Sequence, residues 1–412
     1  MTFHVKKLLY GGYGLAQKEG KSLMVEYALP GEVVEVQVYQ EKKDHAFARA
    51  VKVLLPSPAR REAPCPYYQL CGGCQLQHME YPAQLKAKEE ILLETLERIG
   101  KLKPKGMEEP LHRGEFGYRV RVQLKVSEGR LGFFERKSHR IVEIDQCLLL
   151  HPAINDLIPS LKELSKKLKT LKEVHVLYSP QEKEFLLKLL LEEAPPKEKF
   201  EKWLEHTLPP QVVGVGLYRQ GRVYALGRDF TFVSVAPYRY RVSMDSFLQV
   251  NHLLWEDFVR HALPPGKFSR ALELHCGIGF FSLSLAQRCE FLTAYDSNRS
   301  AIRDAEYNAR INSVSNASFH YETGLGALKR HAGEVVDLLF LDPPRSGLSQ
   351  GEAQLILKNR PRQVVYVSCE PTTLARDLKV LAKGGYELQS LRLVDNFPNT
   401  YHIEAIAQLT LK

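Results

Sequence analysis

The sequence lacks any long hydrophobic run, which excludes a membrane protein with transmembrane helices. A helix that crosses a bilayer needs about 20 consecutive apolar residues, and no stretch of the 412 residues approaches that length. We also expect no secretion signal, because the chain passes almost at once into a glycine-rich turn. Internal repeats and low-complexity tracts are absent as well. We therefore expect a cytoplasmic globular protein, with no membrane partner, that acts as a monomer.

Cysteine is scarce, with seven residues at positions 65, 71, 74, 147, 276, 289 and 369. An odd number in a chain without a secretion signal argues against a framework of disulfide bonds. The first three follow the spacing C-x5-C-x2-C, and Cys147 follows the basic strands described below. This pattern suits either an iron–sulfur cluster or a four-cysteine zinc site. Radical iron–sulfur enzymes use C-x3-C-x2-C, so the spacing excludes that class.

The positive charge lies almost entirely in the first part of the chain. The net charge is +9, yet from residue 246 onward 18 Lys and Arg face 17 Asp and Glu. Residues 113–140 alone hold eight basic side chains and three acidic ones. We expect the N-terminal part to bind a polyanion such as nucleic acid. A solvated basic face without a partner stays open as the alternative.

The length predicts two or three domains, and we expect an α/β multidomain fold with borders at 1–57, 58–243 and 244–412. Short β-rich runs in residues 1–57 predict a small OB-like barrel. Its stretch "YGGYGLAQ…ALPGEVVEV" resembles the TRAM domain, an RNA-binding barrel of RNA-modifying enzymes. Residues 58–243 predict an α+β domain that carries the cysteine cluster and a helix at 81–99, which we expect to pack on the C-terminal domain. In "YRVRVQLKV" the valines and leucine alternate with basic or polar residues, so one strand face is core and the other is basic.

Residues 244–412 alternate strand-like and helical runs, which predicts a Rossmann-like, doubly wound sheet. In "ALELHCGIGFFSLSLA", Gly277 and Gly279 form a turn between a strand and a helix. A dinucleotide fingerprint needs a third glycine where Ser282 stands. Asp296 lies at the end of the next strand, where a carboxylate accepts ribose hydroxyls. S-adenosylmethionine therefore fits this turn better than NAD, which stays open as the alternative.

The stretch "LLFLDPPRSG" places Asp342 at the end of another apolar strand. Enzymes that methylate exocyclic amines place an aromatic residue after the Pro-Pro pair, and here Arg345 stands there. Cys369 follows the next strand, close to the start of a helix whose partial positive charge favours a thiolate. A thiolate that adds to C6 of uracil makes C5 nucleophilic towards a methyl donor, after which a base must remove the C5 proton. The alternatives without a catalytic role are that the Pro-Pro pair is a plain turn and that Cys369 is a buried structural cysteine.

Five stretches of residues 246–412 resemble, in order, the signatures of the RNA uracil-C5 methyltransferases: "SFLQVN", "LELHCGIG", "LDPPRSG", "VSCEPTTLARDL" and "VDNFPNTYHIEAIAQL". The resemblance implies that Cys369 is the nucleophile and that Glu404 accepts the C5 proton. It also implies S-adenosylmethionine as methyl donor and RNA as substrate, with 5-methyluridine as product. Donor contacts are implied for Gln249, His275, Gly277, Gly279, Phe280, Asp296 and Asp342.

Four positions depart from the family pattern, although none removes a catalytic group. His275 stands where an aromatic residue is usual, and Phe280 where asparagine is usual. Asp296 replaces the more common glutamate, and Glu370 replaces a frequent asparagine after the nucleophile. Contacts to the adenosine of the donor can therefore differ in detail.

A subset of this family shares the cysteine spacing and holds a 4Fe–4S cluster. The resemblance therefore favours a 4Fe–4S cluster over zinc at Cys65, Cys71, Cys74 and Cys147, in a structural or RNA-positioning role. Barrel and cluster domain together resemble the ribosomal members, which favours 23S rRNA, with the T loop of tRNA as the alternative. An RNA cytosine-C5 methyltransferase is less favoured, because those enzymes usually carry the nucleophile in a T-C or P-C motif and lack the terminal H-x-E signature. An RNA-binding protein without activity is less favoured, because both Cys369 and Glu404 are present.

Overall fold

The computed structural model describes residues 1–193, 195–204 and 206–412. Its first 55 residues form a sheet with the strand order β1-β5-β6-β4-β3-β2. Because β1 and β2 are two halves of one strand interrupted at residues 5 and 6, this sheet closes on itself as a five-stranded barrel. The strands are β1 Thr2–His4, β2 Lys7–Leu9, β3 Tyr13–Lys18, β4 Lys21–Glu26, β5 Val33–Glu41 and β6 His45–Leu55.

Strand β3 was not among the strands predicted from sequence. Its residues, YGLAQK, include few of the β-branched side chains that mark a strand. Antiparallel pairing with β4 from Tyr13–Glu26 to Lys18–Lys21 supplies the stabilisation that propensity lacks. Local composition therefore does not predict this strand of the barrel.

Helix α1, Tyr81–Thr95, continues into a π-helical turn at Leu96–Gly100, so the helix predicted at 81–99 is present. A proline in its first turn suits a helix start, where the missing N–H is not needed. Its apolar side packs with the C-terminal region in one core, in which Leu92 and Leu96 are fully buried. The helix thus belongs physically to the C-terminal region.

The middle of the chain is built on a seven-stranded sheet with the order β10-β9-β8-β11-β12-β13-β14. The alternation predicted for "YRVRVQLKV" is confirmed, because Val122, Leu124 and Val126 are buried on one face. Strands β15 and β16 form a separate hairpin. The elements are β7 Gly106–Leu111, β8 Arg121–Ser127, β9 Arg130–Phe134, β10 Ile141–Glu143, α2 Pro152–Lys167, β11 Leu171–Ser179, β12 Glu184–Leu191, α3 Lys197–Leu204, β13 Val212–Tyr218, β14 Arg222–Gly227, β15 Phe230–Val235 and β16 Tyr238–Ser243.

The C-terminal region is an eight-stranded sheet with the order β19-β18-β17-β20-β21-β23-β22-β7. The first five strands in this order, from β19 through β18, β17 and β20 to β21, run parallel to one another. Strand β23 is antiparallel to both of its neighbours, β21 and β22. Strand β7 joins the far edge, parallel to β22. The elements are α4 Trp255–Ala262, β17 Phe268–Leu274, α5 Ser282–Ala286, β18 Cys289–Asp296, α6 Arg299–Ile311, β19 Ala317–Tyr321, α7 Gly324–Arg330, β20 Leu338–Leu341, α8 Gln350–Asn359, β21 Gln363–Ser368, α9 Pro371–Lys383, β22 Tyr386–Val394 and β23 Glu404–Leu411.

The eight-stranded sheet therefore includes a strand from before residue 244, so the region between 58 and 243 does not fold as a wholly separate unit. Helix α1 and β7 both pack onto the C-terminal sheet. Within the described ranges, no helix is both long enough and apolar enough to cross a membrane.

Candidate active site

The predicted functional residues line up along one edge of the C-terminal sheet. The glycine turn follows β17, Asp296 ends β18, Asp342 follows β20 and Cys369 follows β21. Since these strands are parallel and adjacent, their carboxyl ends meet at the same edge, where ligands bind in open α/β sheets. The strand order thus brings together side chains that lie far apart in the sequence.

The glycine turn has the backbone shape that its residues predict. Gly277 and Gly279 adopt positive φ angles of 56° and 81°, a region that glycine enters without steric cost. The Gly277 N–H donates a 2.9 Å hydrogen bond to Oδ2 of Asp296. A Cβ added to Gly277 would meet no atom within 4 Å, so this position faces open space. The turn is therefore held by Asp296 and leaves room above Gly277 for a ligand.

The two unusual residues of this turn differ in their surroundings. Phe280 is buried, with its ring centroid 5.0 Å from that of Phe281 and 6.2 Å from that of Tyr240. Its contribution is to packing, and its donor contact stays a prediction. The Nε2 atom of His275 is buried without a hydrogen-bond partner among the described residues, and burial lowers the pKa of this imidazole.

Cys369 and Glu404 face each other across two antiparallel strands. In the β21–β23 pairing Ser368 lies opposite Ala405. Cys369, the residue after Ser368, therefore lies opposite Glu404, the residue before Ala405. Burial, followed by the carboxyls of Glu404 and Asp342, raises the pKa of Cys369 to about 11, while Arg345 acts in the opposite direction. That the helix start favours the thiolate stays a prediction, and burial and the two neighbouring acids act against it.

The Glu404 carboxyl is buried beside Cys369. Its side chain is buried at 3% exposure, and this burial raises its pKa to about 7. A hydrogen bond from Asn396 and the charge of Arg345 act in the opposite direction. The Nδ2 atom of Asn396 lies 2.7 Å from Oε2 of Glu404 and 3.1 Å from Oε1 of Gln249. Gln249 is thereby connected to the same edge of the sheet.

An outer shell of polar residues surrounds the cysteine. Tyr10, from the barrel, donates a 2.8 Å hydrogen bond to Oε2 of Glu370, the residue after Cys369. The Tyr10 ring meets that of Tyr401 edge to face at 5.3 Å. Arg345 Nη2 lies 3.4 Å from Nδ1 of His402, whose pKa is lowered to about 3 by burial and then by Arg345. The barrel therefore reaches the active site directly.

A groove of about 780 Å³ runs from this shell between the barrel and the basic hairpin β9–β10. Tyr10 and Tyr401 lie at its active-site end, and Arg136 and Lys137 line its wall. The Lys137 ammonium lies 4.7–5.4 Å from the ring centroids of three barrel aromatics. Positive charge beside aromatic rings is what an RNA strand requires, since phosphates bind cations and bases stack on rings.

The four N-terminal-half cysteines lie around one small cavity of about 80 Å³. Burial raises the pKa of all four thiols. For Cys71, Cys74 and Cys147, neighbouring cysteines of the set also contribute to the rise, and the pKa of Cys71 is raised to about 11. Within the described ranges, no group of three or more His, Cys, Asp or Glu side chains is close enough to hold a metal ion. The structure thus brings Cys65, Cys71, Cys74 and Cys147 to one cavity without forming a compact single-ion site.

Three residues of the site were not found from sequence. Asn396 lies inside the quoted terminal stretch, so its polar side chain next to the base was a usable signal. The contact between Tyr10 and Glu370 gave none, because it joins residues 360 positions apart. Next to the glycine turn, the buried Glu273 has a pKa that desolvation raises to about 8.

Comparison with known proteins agrees with this geometry. A family model described as tRNA (uracil-5-)-methyltransferase matches residues 80–321 and 327–412. An uncharacterized RNA methyltransferase of Aquifex aeolicus is 50% identical over 99% of this chain and 98% of its own length. The 23S rRNA (uracil(1939)-C(5))-methyltransferase RlmD of Aeromonas hydrophila is 35% identical over 99% of this chain and 95% of its own.

A solved structure gives the same result for the fold. The tRNA (uracil-54, C5)-methyltransferase of Pyrococcus abyssi, in complex with S-adenosyl-L-homocysteine, superposes with a TM-score of 0.77 and 25% identity over the whole of both chains. Since the family model covers most of the chain and these similarities extend over nearly all of it, the chain belongs to the tRNA (uracil-5-)-methyltransferase family, whose members are S-adenosylmethionine-dependent RNA uracil-C5 methyltransferases.

Proposed function

We propose that this enzyme methylates C5 of a specific uridine in 23S rRNA through a covalent adduct between Cys369 and C6 of the base. The supporting observation is the β21–β23 register, which sets the Cys369 thiol beside the buried Glu404 carboxyl. A nucleophile and a base on the same side of one sheet edge are the two groups that the chemistry needs.

In the first half of the reaction, Cys369 adds to C6 as a thiolate and the C5=C6 electron pair moves onto C5 as an enolate. C5 then attacks the donor methyl group, and the sulfonium sulfur leaves with the bonding electrons. S-adenosylmethionine supplies that electrophilic methyl group and a positive charge. Arg345 already lowers the pKa of Cys369 against the effect of burial, so it assists formation of the thiolate.

In the second half, Glu404 removes the C5 proton. The C5–H electrons re-form the C5=C6 bond, the C6–S bond breaks, and Cys369 regains its electron pair. The proton then passes from Glu404 to water. A base works best with a pKa near the operating pH, and burial brings that of Glu404 to about 7.

The methyl donor is assigned to the cleft above the glycine turn. Gly277 faces open space there, and Asp296 closes the turn from the side. Gln249 and Asp342 lie further along the edge, towards Glu404. His275, Gly279 and Phe280 complete the set implied by the family resemblance, with Phe280 acting through packing.

We assign the barrel to the TRAM type and the groove beside it to the RNA. The target base must leave its stack to reach Cys369, at a cost of a few kcal/mol. Arg136, Lys137 and the aromatic residues of the groove offer phosphate contacts and stacking surfaces that offset this cost. A basic excess in the N-terminal half fits the same role.

The choice of 23S rRNA rests on the relatives. The Aeromonas enzyme with an rRNA name matches this chain over almost its full length, at higher identity than the Pyrococcus tRNA enzyme. Uridine in the T loop of tRNA is the second candidate. A cytoplasmic location and a monomeric state stay predictions.

We further propose that Cys65, Cys71, Cys74 and Cys147 bind a 4Fe–4S cluster. Four sulfur ligands around one largely apolar cavity fit the donor chemistry of such a cluster, in which each thiolate binds a different iron. Zinc, which needs four ligands around one ion, is the alternative, and the resemblance to family members with the same cysteine spacing favours the cluster over it. Elemental analysis of anaerobically purified protein is expected to give about four iron and four sulfide per chain. One zinc without iron contradicts the proposal.

The function is tested with labelled S-adenosylmethionine and two transcripts, 23S rRNA and tRNA. We expect 5-methyluridine in the rRNA, and digestion to nucleosides identifies the product. Label in 5-methylcytidine would instead indicate the cytosine enzyme, and label only in tRNA would move the substrate to the T loop. With 5-fluorouridine RNA, whose C5 carries no removable proton, the wild type should form a stable protein–RNA adduct and Cys369→Ala should form none.

A further inference from the structure

The side-chain amide of Asn396 joins two residues of the active site. Its Nδ2 atom donates to Oε2 of Glu404 at 2.7 Å and to Oε1 of Gln249 at 3.1 Å. Both hydrogens of this amide nitrogen are therefore used, one on the base and one on a residue assigned to the methyl donor. Asn396 is itself 1% exposed, so the two hydrogen bonds lie away from solvent.

The orientation of this amide follows from its partners. An amide oxygen turned towards Glu404 would face a carboxylate oxygen without a hydrogen between them, whereas the nitrogen satisfies both acceptors. The Oδ1 atom is buried and has no hydrogen-bond partner among the described residues. The Asn396 side chain thus acts as a hydrogen-bond donor through Nδ2, and its Oδ1 accepts no hydrogen bond from the described residues.

The backbone around Asn396 is fixed on both sides. Lys88 donates a 2.6 Å hydrogen bond to Oδ1 of Asp395 and a 3.0 Å hydrogen bond to the carbonyl oxygen of Phe397. Nδ2 of Asn251 lies 3.4 Å from the carbonyl oxygen of Asn396 itself. Because residues on either side are anchored in this way, Asn396 has little freedom to follow a shift of Glu404.

We propose that Asn396 is a positioning residue, which aims the Glu404 carboxylate at the C5 proton and keeps it in register with Gln249. The proposal rests on the covalent route given above. Glu404 is surrounded by Arg345, Asp342 and Cys369 in addition to Asn396. Asn396 is the neutral donor among these groups, so it favours the charged base without adding a competing charge.

The two halves of the reaction make this role measurable. Adduct formation and methyl transfer need Cys369, whereas release needs Glu404. Loss of the Asn396 donor should therefore slow release selectively. With ordinary uridine RNA, a methylated protein–RNA adduct should accumulate that the wild type resolves too quickly to trap.

The test compares Asn396→Ala and Asn396→Asp with the wild type. We expect release to slow by about tenfold or more, the adduct to appear on denaturing gels, and the acidic limb of the rate profile to move to higher pH. The shift should be larger for Asn396→Asp, which places a second acid next to Glu404. Trapping by 5-fluorouridine RNA, which precedes proton removal, and chemical denaturation report whether each variant is folded.

Asn399→Asp is the matched control for a loosened loop. Asn399 lies in the same connection and bonds to Gln84 and to the Glu115 carbonyl, but not to Glu404. It should lower stability without adduct accumulation or a pH shift. Equal accumulation in this control, or Asn396 variants with a wild-type pH profile and no adduct, would overturn the positioning role. Failure of the wild type to form the 5-fluorouridine adduct would instead overturn the covalent route, and the inference with it.

Discussion

Tyr10 in the barrel and Glu370, the residue after Cys369, are joined by a 2.8 Å hydrogen bond, although 360 residues separate them. Glu370 is also the N-cap of α9, where its side chain accepts hydrogen bonds from the backbone N–H and the hydroxyl of Thr372. One carboxylate therefore links the barrel, the start of a helix and the turn that carries Cys369.

Removal of this hydroxyl should lower the catalytic rate more than it lowers RNA affinity. Tyr10→Phe deletes the donor and leaves the ring that meets Tyr401 in place. A hydrogen bond to a charged group contributes about 1.5–3 kcal/mol, so we expect adduct formation to slow by about tenfold. Single-turnover trapping on 5-fluorouridine RNA measures this rate, and filter binding measures RNA affinity.

Tyr13→Phe provides the matched control for Tyr10→Phe. It removes a hydroxyl from the same barrel and the same groove, away from Glu370. Its trapping rate should equal that of the wild type. If both variants slow trapping equally, the barrel acts through RNA binding and not through the nucleophile turn.

The pH dependence should separate the two halves of the reaction. Glu404 acts as an ionised base, and its pKa of about 7 means that lowering the pH through 7 removes the active form. At pH 6 about one tenth of the carboxyl is ionised, so release should be about tenfold slower than at its plateau. Adduct formation with 5-fluorouridine RNA should instead keep rising with pH, because the pKa of Cys369 is raised to about 11. Identical profiles for the two steps would contradict these assignments.

A single charge in the groove should affect RNA binding and its salt dependence. Lys137→Gln removes an ammonium that lies over Tyr13, Tyr39 and Phe47. We expect weaker RNA binding and a salt slope smaller by about 0.7–0.9, the value of one phosphate contact. Affinity for S-adenosylmethionine should stay unchanged, as calorimetry can establish.

Lys167→Gln is the control for this charge change. Lys167 lies at the end of α2, is about half exposed and pairs with Glu163, and it does not line the groove. An equal loss of RNA affinity in both variants would mean that overall charge, and not the groove, decides binding. Deletion of the whole barrel is a weaker test, because Leu8 and Leu29 are buried in a core shared with α1.

The buried pair of Lys88 and Asp395 should be the most sensitive point for stability. Their side chains are 1% and 0% exposed, and Tyr81 donates to the second oxygen of Asp395. Lys88→Ala leaves that carboxylate buried without a partner charge, which costs about 3–5 kcal/mol. Chemical denaturation measures the loss. Lys103→Ala, which removes a 77% exposed lysine paired with Glu97, should change stability by less than about 0.5 kcal/mol.

Sequence patterns alone determined much of the secondary structure. Alternating apolar residues identified β8, strand ends located Asp296 and Asp342, and the family resemblance implied the roles of Cys369 and Glu404. The strand predictions are confirmed because hydrophobic periodicity and turn residues act locally along the chain. The weakly β-forming strand β3 was missed, because its pairing with β4 is a tertiary interaction.

The tertiary structure decided what surrounds each group. A helix start next to Cys369 predicts a lowered pKa, but burial of the thiol and the Glu404 carboxyl, which the antiparallel insertion of β23 beside β21 places there, both raise it. The same insertion sets Asn396 between Glu404 and Gln249, and the closed barrel carries Tyr10 to Glu370. Burial and electrostatics depend on which distant segments meet, and no local pattern in the sequence encodes that information.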